Sequence, residues 1–346
     1  NLHCAVRTRR RDMARRPSER CLILKKKRLF YLACILALGW VGLKYGFDYA
    51  LGCVAAFFIL LGTRQLWKLF ISGKDFDVLR SLQPRYAWEA QIERLPKRES
   101  AEETWNFVVL GDTRNNVAVS RQLYRRAKEE SPDMLFHTGD IVRSGTASEL
   151  LNNHVRVLEE EDIDFPVFCV PGNHERGPLY TFSAYNTLYG GDRFSFAHGQ
   201  CNFIGFNNSG KRGIGDEELG FLETELTKPA RFSFVFLHIP PAFFEAAFVM
   251  DSHRRGFKKN AGRFHDILCE HKVTEVFMAH IHGYASEIID GVRYTLTGGG
   301  GAPLSRRLEK TNRHYHLLNM RITPDGIERE LCIYRDKQWS KRETHA

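Results

Sequence analysis

Closely spaced cysteines and internal repeats are both missing from this sequence. The eight cysteines, at positions 4, 21, 34, 53, 169, 201, 269 and 332, include no C-x-x-C pair, so the sequence gives no sign of a disulfide framework. Cys169 and Cys332 fall inside apolar, strand-like runs, where we expect them to act as small buried hydrophobic residues.

Net charge is also missing from most of the chain. The formal charge of +9 belongs to residues 1–28, which carry eleven Arg and Lys against Asp12 and Glu19, so the other 318 residues are neutral overall. The basic charge therefore does not indicate a nucleic-acid partner, and we expect none. With 43% apolar and 26% charged residues, the composition fits a soluble domain and excludes a disordered protein.

A long apolar segment follows the basic N-terminal tail 1–28 directly. It runs from residue 29 to about Gly62, broken only by Lys44 and Asp48, and is over twice as long as the apolar region of a signal peptide. Its 34 residues would give about 51 Å of helix, too long for one span of a hydrocarbon core and slightly short for two. We interpret 29–67 as one or more transmembrane segments.

The positions of basic residues favour one topology for this segment. They crowd before residue 29 and return after it, at Arg64, Lys68, Lys74 and Arg80. This pattern favours a hairpin with both ends, and the following domain, on the cytoplasmic side. A single span with the domain outside, or a buried pair of soluble helices, are the alternatives. Because position 1 is Asn, we also expect either a fragment or a misassigned start, with Met13 as a natural alternative.

The remaining sequence divides into a polar stretch and a domain with alternating strands and helices. Residues 68–104 are interpreted as a linker or an approach helix, and 105–340 as the domain. Apolar runs predict strands at 106–110, 134–137, 167–170, 201–206, 232–237 and 274–278. Helical patterns lie at 117–129, 149–161, 216–226 and 262–271, and Asp-Gly pairs at 290 and 325 predict hairpin turns. This order predicts an α/β sandwich with ligands outside the strand ends.

Polar side chains that can bind metal follow five of the predicted strands. They are Asp112, Asp140, Asn173 with His174, His238, and His280 with His282. Oxygen and imidazole ligands together suit a transition metal such as Mn, Fe, Zn or Ni, and two such ions can clamp a phosphate oxygen and make hydroxide from water. The pattern therefore favours a phosphoester hydrolase.

The motifs "GD" at 111, "GD" at 139, "GNHE" at 172, a single His238 and "HIH" at 280 resemble the calcineurin-like metallophosphoesterase family, over about residues 105 to 300. The resemblance implies an αββα sandwich of two mixed sheets flanked by helices. It also implies two divalent metal ions and hydrolysis of a phosphomonoester, phosphodiester or pyrophosphate by metal-bound hydroxide.

Carried over residue by residue, the resemblance implies specific roles. Asp140 would bridge the two ions. Asn173, His238 and His280 would bind the second ion, and Asp112 with His282 the first. His174 would be the acid that protonates the leaving oxygen. Eight other histidines, at 137, 154, 198, 253, 265, 271, 314 and 316, match no family position and receive no functional role.

One position departs from the family pattern. Many relatives carry D-x-H where this chain has Asp112, Thr113 and Arg114, and that His is a ligand of the first metal. Arg114 has no free lone pair to donate, so we expect the first site to bind its ion more weakly. Arg114 is a candidate catalytic residue that contacts the phosphoryl group, with structural pairing to a nearby carboxylate as the alternative.

Two further segments carry weaker expectations. "TGGGGAPL" at 297–304 lacks the Lys and Ser or Thr of a P-loop, so we favour close packing beside the metal edge over phosphate binding. "PAFFEAAFVM" at 241–250 is expected to be a buried helix, with an apolar lid that touches lipid as the alternative.

The expected function is that of a membrane-anchored metallophosphoesterase. A lipid or lipid-linked substrate fits an anchored enzyme, although anchoring does not require one. Purple acid phosphatases are disfavoured because "GDIVRSG" lacks their metal-binding Tyr after the second Asp. A non-catalytic binding module that keeps the fold is the alternative function.

Overall fold

The structure is a computed structural model that describes residues 40, 43–98, 102–177, 181–210, 213–249 and 256–343. The basic tail 1–28 and residues 29–39 of the expected transmembrane segment lie outside the described residues. The chain divides into two units, Asn1–Ile71 and Ser72–Ala346, and each is described by itself.

The described part of the first unit is helical on both sides of Gly46. Helix α1 (Phe47–Tyr86) begins after this glycine, which has a φ of 97°. Within the described residues, we find no helix whose length and apolar character together suffice to cross a membrane.

The second unit contains two β-sheets with helices between their strands. Its helices after α1 are α2 (Trp88–Glu93), α3 (Val117–Glu129), α4 (Ala147–Leu150), α5 (Arg156–Glu160), α6 (Ser183–Tyr189), α7 (Asp216–Leu226) and α8 (Ala261–Glu270). The strands are β1 (Trp105–Leu110), β2 (Met134–His137), β3 (Val167–Cys169), β4 (Arg193–His198), β5 (Cys201–Phe206), β6 (Phe232–Phe236), β7 (Glu275–Met278), β8 (Tyr284–Ile289), β9 (Val292–Thr297), β10 (Tyr315–Thr323), β11 (Gly326–Arg335) and β12 (Gln338–Glu343).

Both sheets have six strands and mix parallel with antiparallel pairs. The first has the order β12-β11-β10-β1-β2-β3, with β1, β2 and β3 parallel. The second has the order β4-β5-β6-β7-β9-β8, with β5, β6, β7 and β9 parallel. The α/β fold with two mixed sheets that we expected is therefore confirmed.

The uniformly apolar strands are explained by burial on both faces. On β1, Phe107 and Val109 belong to a core cluster shared by both sheets, whereas Val108 and Leu110 belong to a cluster with the helices of the first sheet. Alternate residues of a strand point to opposite faces, so such a strand needs apolar residues at every position. The layer between the sheets is rich in Phe, and the rings of Phe136 and Phe236 stack with centroids 4.0 Å apart.

Of the segment 68–104, the described residues that belong to the second unit, 72–98 and 102–104, are mostly helical and pack on the domain. Within the second unit, Leu79 and Tyr86 of α1 are buried in the cluster that covers the first sheet. On α2, the side-chain oxygen of buried Gln91 accepts the backbone N–H of Val167 at 2.8 Å, which ties α2 to β3. The approach to the domain is therefore a structural part of it.

Two predicted helices differ from the structure. The pattern at 149–161 becomes α4, a π-helical segment (Leu151–Val155) and α5. The buried helix expected at 241–250 was wrong, because the described residues 241–249 form turns and two isolated bridges. Two turns have backbone hydrogen bonds within the segment, from Phe244 N–H to Pro241 O and from Phe248 N–H to Glu245 O. Other backbone groups bond to a distant segment: Val249 N–H donates to Arg307 O, and Ala247 O accepts from Glu309 N–H.

Candidate metal centre

Five strands deliver the predicted site residues to the same ends of the two sheets. Asp112 and Asp140 follow β1 and β2, and Asn173 with His174 follows β3. In the second sheet, His238 follows β6, and His280 with His282 follows β7. Parallel strands place their carboxyl ends on one edge, so residues far apart in sequence meet there.

The side chains form two groups that share one carboxylate. The first group is Asp112, Asp140 and His282, and the second is Asp140, His238 and His280. In each group the potential ligand atoms all lie within 4.8 Å of one another. Asp140 therefore occupies the position expected of a bridging ligand, and the structure brings these five residues together as the sequence predicts.

The backbone at these positions adopts left-handed conformations. Asp112, Asp140 and His280 have φ values of 62°, 54° and 71°, and Arg114 has 45°. Such conformations cost free energy for residues other than glycine, and they persist where the surrounding structure holds them. They turn the side chains at the strand ends towards a common point.

Two of the histidines are oriented by backbone carbonyls. Nδ1 of His238 donates to Thr138 O at 2.9 Å, and Nδ1 of His282 donates to Pro303 O at 2.8 Å. The hydrogen therefore lies on Nδ1, and Nε2 carries the free lone pair that a metal requires. Burial lowers the pKa of His238, and burial together with Arg114 lowers the pKa of His282 to about 4, so both rings are neutral near pH 7.

Several buried polar atoms of the site make no hydrogen bond to any described residue. They are both carboxylate oxygens of Asp112, Oδ1 of Asn173, and Nε2 of His238 and His282. Buried polar atoms in native proteins almost always have a partner. Because all of these atoms can donate a lone pair, the donor set fits divalent transition-metal ions.

The two carboxylates have opposite pKa shifts. Burial raises the pKa of Asp112, and the charge of Asp140 raises it further. Burial also opposes ionisation of Asp140, but the adjacent His238, Arg114 and His174 outweigh it and hold the pKa of this carboxyl below its usual range. Asp140 is therefore the carboxylate that stays charged in this environment.

Arg114 pairs with the shared carboxylate. Its Nε and one terminal nitrogen donate to the same oxygen, Oδ2 of Asp140, at 2.9 and 2.7 Å. The Arg114 side chain is 20% exposed, whereas that of Asp140 is fully buried. In the structure, Arg114 thus makes the carboxylate contact that we gave as the alternative to a phosphate contact.

His174 lies at the solvent side of the same carboxylate. Its backbone N–H donates to Oδ1 of Asp140 at 2.9 Å, and its Nε2 is 4.0 Å from Oδ2. Nδ1 donates to the carbonyl oxygen of Arg143 at 2.6 Å, which leaves Nε2 directed at the site. The side chain is 29% exposed, so it can reach a bound substrate. Asn173 is its chain neighbour, and its amide oxygen is buried without a hydrogen-bond partner among the described residues.

Three positioning residues had no role in the sequence interpretation: Glu175, Asn208 and His137. The buried Glu175 accepts the backbone N–H groups of Asp140, Gly172 and Val142, at 2.6 to 3.0 Å, and so clamps the second and third site loops together. Burial and the charge of Asp140 raise the pKa of Glu175 to about 8 in spite of these donors. Glu175 is the last residue of the motif "GNHE", so the motif could have identified it.

Asn208 is the second of these positioning residues. It is fully buried, and its Oδ1 accepts the backbone N–H groups of His238 and Ile239, both at 3.0 Å. Its amide nitrogen donates to Ile239 O at 2.7 Å, so the turn that carries His238 is held by one side chain. Asn208 follows β5 in the same way as the other site residues follow their strands, and this placement could have identified it.

His137 also supports the site without belonging to either group. Its Nδ1 accepts the N–H of Gly139, and its Nε2 therefore carries the hydrogen and donates to the hydroxyl of Thr113 at 3.2 Å. Thr113 in turn donates to Ile141 O at 2.9 Å. The chain of bonds connects the loop after β1 with the loop after β2.

The glycine-rich segment 297–304 packs against the first group, as we favoured. A Cβ on Gly298 would lie 2.5 Å from Oδ2 of Asp112, and one on Gly300 would lie 2.3 Å from Gly111 O. The N–H of Gly300 donates to Gly111 O at 2.7 Å, and that of Ala302 to Asp112 O at 2.8 Å. Only residues without a side chain permit this approach.

Comparison with solved structures shows the same fold in phosphatases. The chain is similar to a purple acid phosphatase from yellow lupin (Lupinus luteus) seeds, with 16% identity, a TM-score of 0.56, and 71% of this chain and 54% of that chain covered. The chain thus spans about half the length of the lupin protein. It is also similar to a dimetal phosphatase from Danio rerio, with 14% identity, a TM-score of 0.52, and 66% and 95% covered.

A third similar structure is described differently. It is GAP50, the anchor in the inner membrane complex of Plasmodium, with 15% identity, a TM-score of 0.54, and 70% of this chain and 89% of that chain covered. At these identities the likeness shows the fold alone. A comparison with curated proteins found no match.

The family comparison is more specific. The model of the calcineurin-like phosphoesterase family matches residues 106–284, more than half of the chain and the part that carries every predicted site residue. The family is dimetal-dependent, in agreement with two groups that share Asp140. The chain therefore belongs to the calcineurin-like phosphoesterase family, whose members are hydrolases that act on phosphoester bonds.

Proposed function

We propose that this chain is a membrane-anchored metal-dependent phosphoesterase that hydrolyses a phosphomonoester, phosphodiester or pyrophosphate. The observation that carries the catalytic part is the fully buried Asp140, shared by two groups of potential ligands. Divalent ions such as Mn, Fe, Zn or Ni at these groups would polarise the phosphoryl oxygen and acidify a water molecule.

The residues around the groups have separate tasks in this proposal. Neutral His238 and His282 keep Nε2 available because Thr138 O and Pro303 O hold their other nitrogens. His174 places Nε2 at the solvent side of Asp140, where it can give a proton to the leaving oxygen. In this proposal the acid stands beside the shared carboxylate, on the exposed side of the site.

A test of catalysis uses a generic aryl phosphodiester as the substrate. We expect the full chain to hydrolyse this substrate with added Mn²⁺ and to lose the activity after treatment with a chelator. The reason is that a bound metal ion is what would activate the attacking water molecule. Release of the coloured phenol measures the rate.

The same assay separates the two candidate functions. Hydrolysis that survives complete metal removal would contradict a metal mechanism. A chain that binds metal but hydrolyses neither aryl phosphodiesters nor aryl phosphomonoesters nor pyrophosphate would support the alternative, a binding module that keeps the metallophosphoesterase fold.

Membrane anchoring is supported by the apolar segment and by its described residues. Large apolar side chains around Gly46 are half or more exposed to solvent: Trp40, Leu43, Tyr45, Tyr49 and Leu51. The amino group of Lys44 lies 4.7 Å from the ring centre of Trp40 and 5.0 Å from that of Tyr45. Trp, Tyr and Lys are enriched where a membrane meets water. With such an anchor, a lipid or lipid-linked phosphodiester or pyrophosphate is the substrate class that we propose.

The proposed topology makes a direct prediction. A reporter fused after Ala346 is expected to give a cytoplasmic signal, because basic residues flank both ends of 29–62 and stay on that side of the membrane. Paired alkaline phosphatase and fluorescent protein fusions measure the side. An extracytoplasmic signal would contradict the hairpin and indicate a single transmembrane span.

A further inference from the structure

Arg114 occupies a particular oxygen of the shared carboxylate. Oδ1 of Asp140 accepts the N–H of His174 at 2.9 Å and lies 3.3 Å from Nε2 of His238, on the side of the second group. The other oxygen, Oδ2, accepts both N–H groups of Arg114. The guanidinium therefore covers the oxygen that Asp140 would otherwise offer to the first group.

The loop geometry holds Arg114 in this place. Its backbone N–H donates to Asp140 O at 3.1 Å, and its φ of 45° turns the side chain back over the carboxylate. Two N–H donors on one oxygen form a charge-assisted contact, and the partner carboxylate is fully buried. A competing cation must displace this contact before it can bind the same oxygen.

The two groups offer the same number of residues but differ in the cation beside them. The second group consists of Asp140, His238 and His280, and the first of Asp112, Asp140 and His282. In the first group, the guanidinium of Arg114 is bonded to Oδ2 of the shared Asp140 and has no lone pair to donate. A divalent ion there would meet a positive charge beside it and a competitor for that oxygen.

We propose that Arg114 is a permanent cation of the first group, and that the chain therefore binds one divalent transition-metal ion tightly, at the second group. This inference rests on the proposed function in taking the two groups as metal-ligand sets. The proposed function places a metal ion at each group. In this inference, the guanidinium of Arg114 supplies the positive charge at the first group.

Metal content tests the proposal directly. The full chain is loaded with Mn²⁺, dialysed free of excess ion, and analysed by plasma mass spectrometry. We expect about one ion per chain for the wild type and about two for Arg114→His, because an imidazole adds a ligand and removes the competing charge. Arg125→Ala is the matched control: it removes a half-exposed arginine of α3 that pairs with Glu161, outside both groups, and should leave the content at about one.

Electron paramagnetic resonance of the same samples reports on the distance between ions. An isolated Mn²⁺ gives a six-line hyperfine pattern, whereas two ions about 3.5 to 4 Å apart are magnetically coupled and give a many-line spectrum. We expect the isolated pattern for the wild type and for Arg125→Ala, and the coupled spectrum for Arg114→His.

Each outcome decides a separate claim. Two tightly bound, coupled ions in the wild type would overturn the inference and leave the proposed function intact. Failure to bind any ion, together with no hydrolysis, would overturn the proposed function itself. If Arg114→His does not fold, Arg114→Ala replaces it, and affinity for a second ion is then expected to rise by about tenfold or more. Unchanged affinity in Arg114→Ala would overturn the inference.

Discussion

Replacement of Asp140 by Asn is expected to abolish turnover, with kcat lower by about 10³-fold or more, which corresponds to about 4 kcal/mol of lost transition-state stabilisation. Asp140 is the one residue common to both groups, it is fully buried, and its lowered pKa keeps it charged. An amide of the same shape carries no charge and offers one oxygen, so metal binding at both groups should weaken together. Metal analysis and the aryl phosphodiester assay on the same samples measure this.

Asp133→Asn is the matched control for this variant. Asp133 precedes β2 and Asp140 follows it, so the two carboxylates lie at opposite ends of one strand. Asp133 pairs with Arg98 and His198, at 2.6 and 2.9 Å, and contacts none of the site residues. Its loss should reduce stability while the metal content of the folded protein is unchanged. Near-normal turnover in Asp140→Asn would refute the assignment of a shared metal ligand.

Replacement of His174 by Ala is expected to lower kcat by about 10² to 10⁴ while metal content is retained, since that is the usual contribution of general acid-base catalysis. Arg143 O holds Nδ1 of His174, and Nε2 lies 4.0 Å from Oδ2 of Asp140. The ring thus directs Nε2 at the shared carboxylate without belonging to either group of ligands. Single-turnover rates at saturating Mn²⁺ separate a loss of chemistry from a loss of substrate binding.

A further comparison tests whether His174 acts through a proton. An acid matters most when the leaving group is poor, so the defect should be large for an alkyl phosphodiester and small for an activated nitrophenyl one. His271→Ala, at the C-terminal end of α8 and outside both groups, should leave both rates unchanged. Loss of metal from His174→Ala would instead identify His174 as a ligand and refute the role of acid.

Sequence pattern alone predicted six strands, β1 to β3 and β5 to β7, well because their positions depend on local composition, but it missed β4. Four to six apolar residues that end in Gly, Asp or His mark β1, β2, β6 and β7 to within one residue of the observed bounds. The prediction for 241–250 failed for the opposite reason. Its Phe-rich pattern is equally compatible with a helix and with an irregular chain whose distant backbone partners are Phe257 and residues 307–309. Local composition cannot specify a distant partner.

The sequence by itself determined the α/β class, the order of motifs and the residues that follow each strand, because each of these depends on neighbours in the chain. Only the tertiary structure decided that Arg114 donates to Oδ2 of Asp140, that Glu175 clamps two site loops, and that Asn208 holds the turn carrying His238. Each of these contacts joins segments 26 or more residues apart. Their geometry follows from how two sheets pack and align their strand ends, which no local pattern encodes.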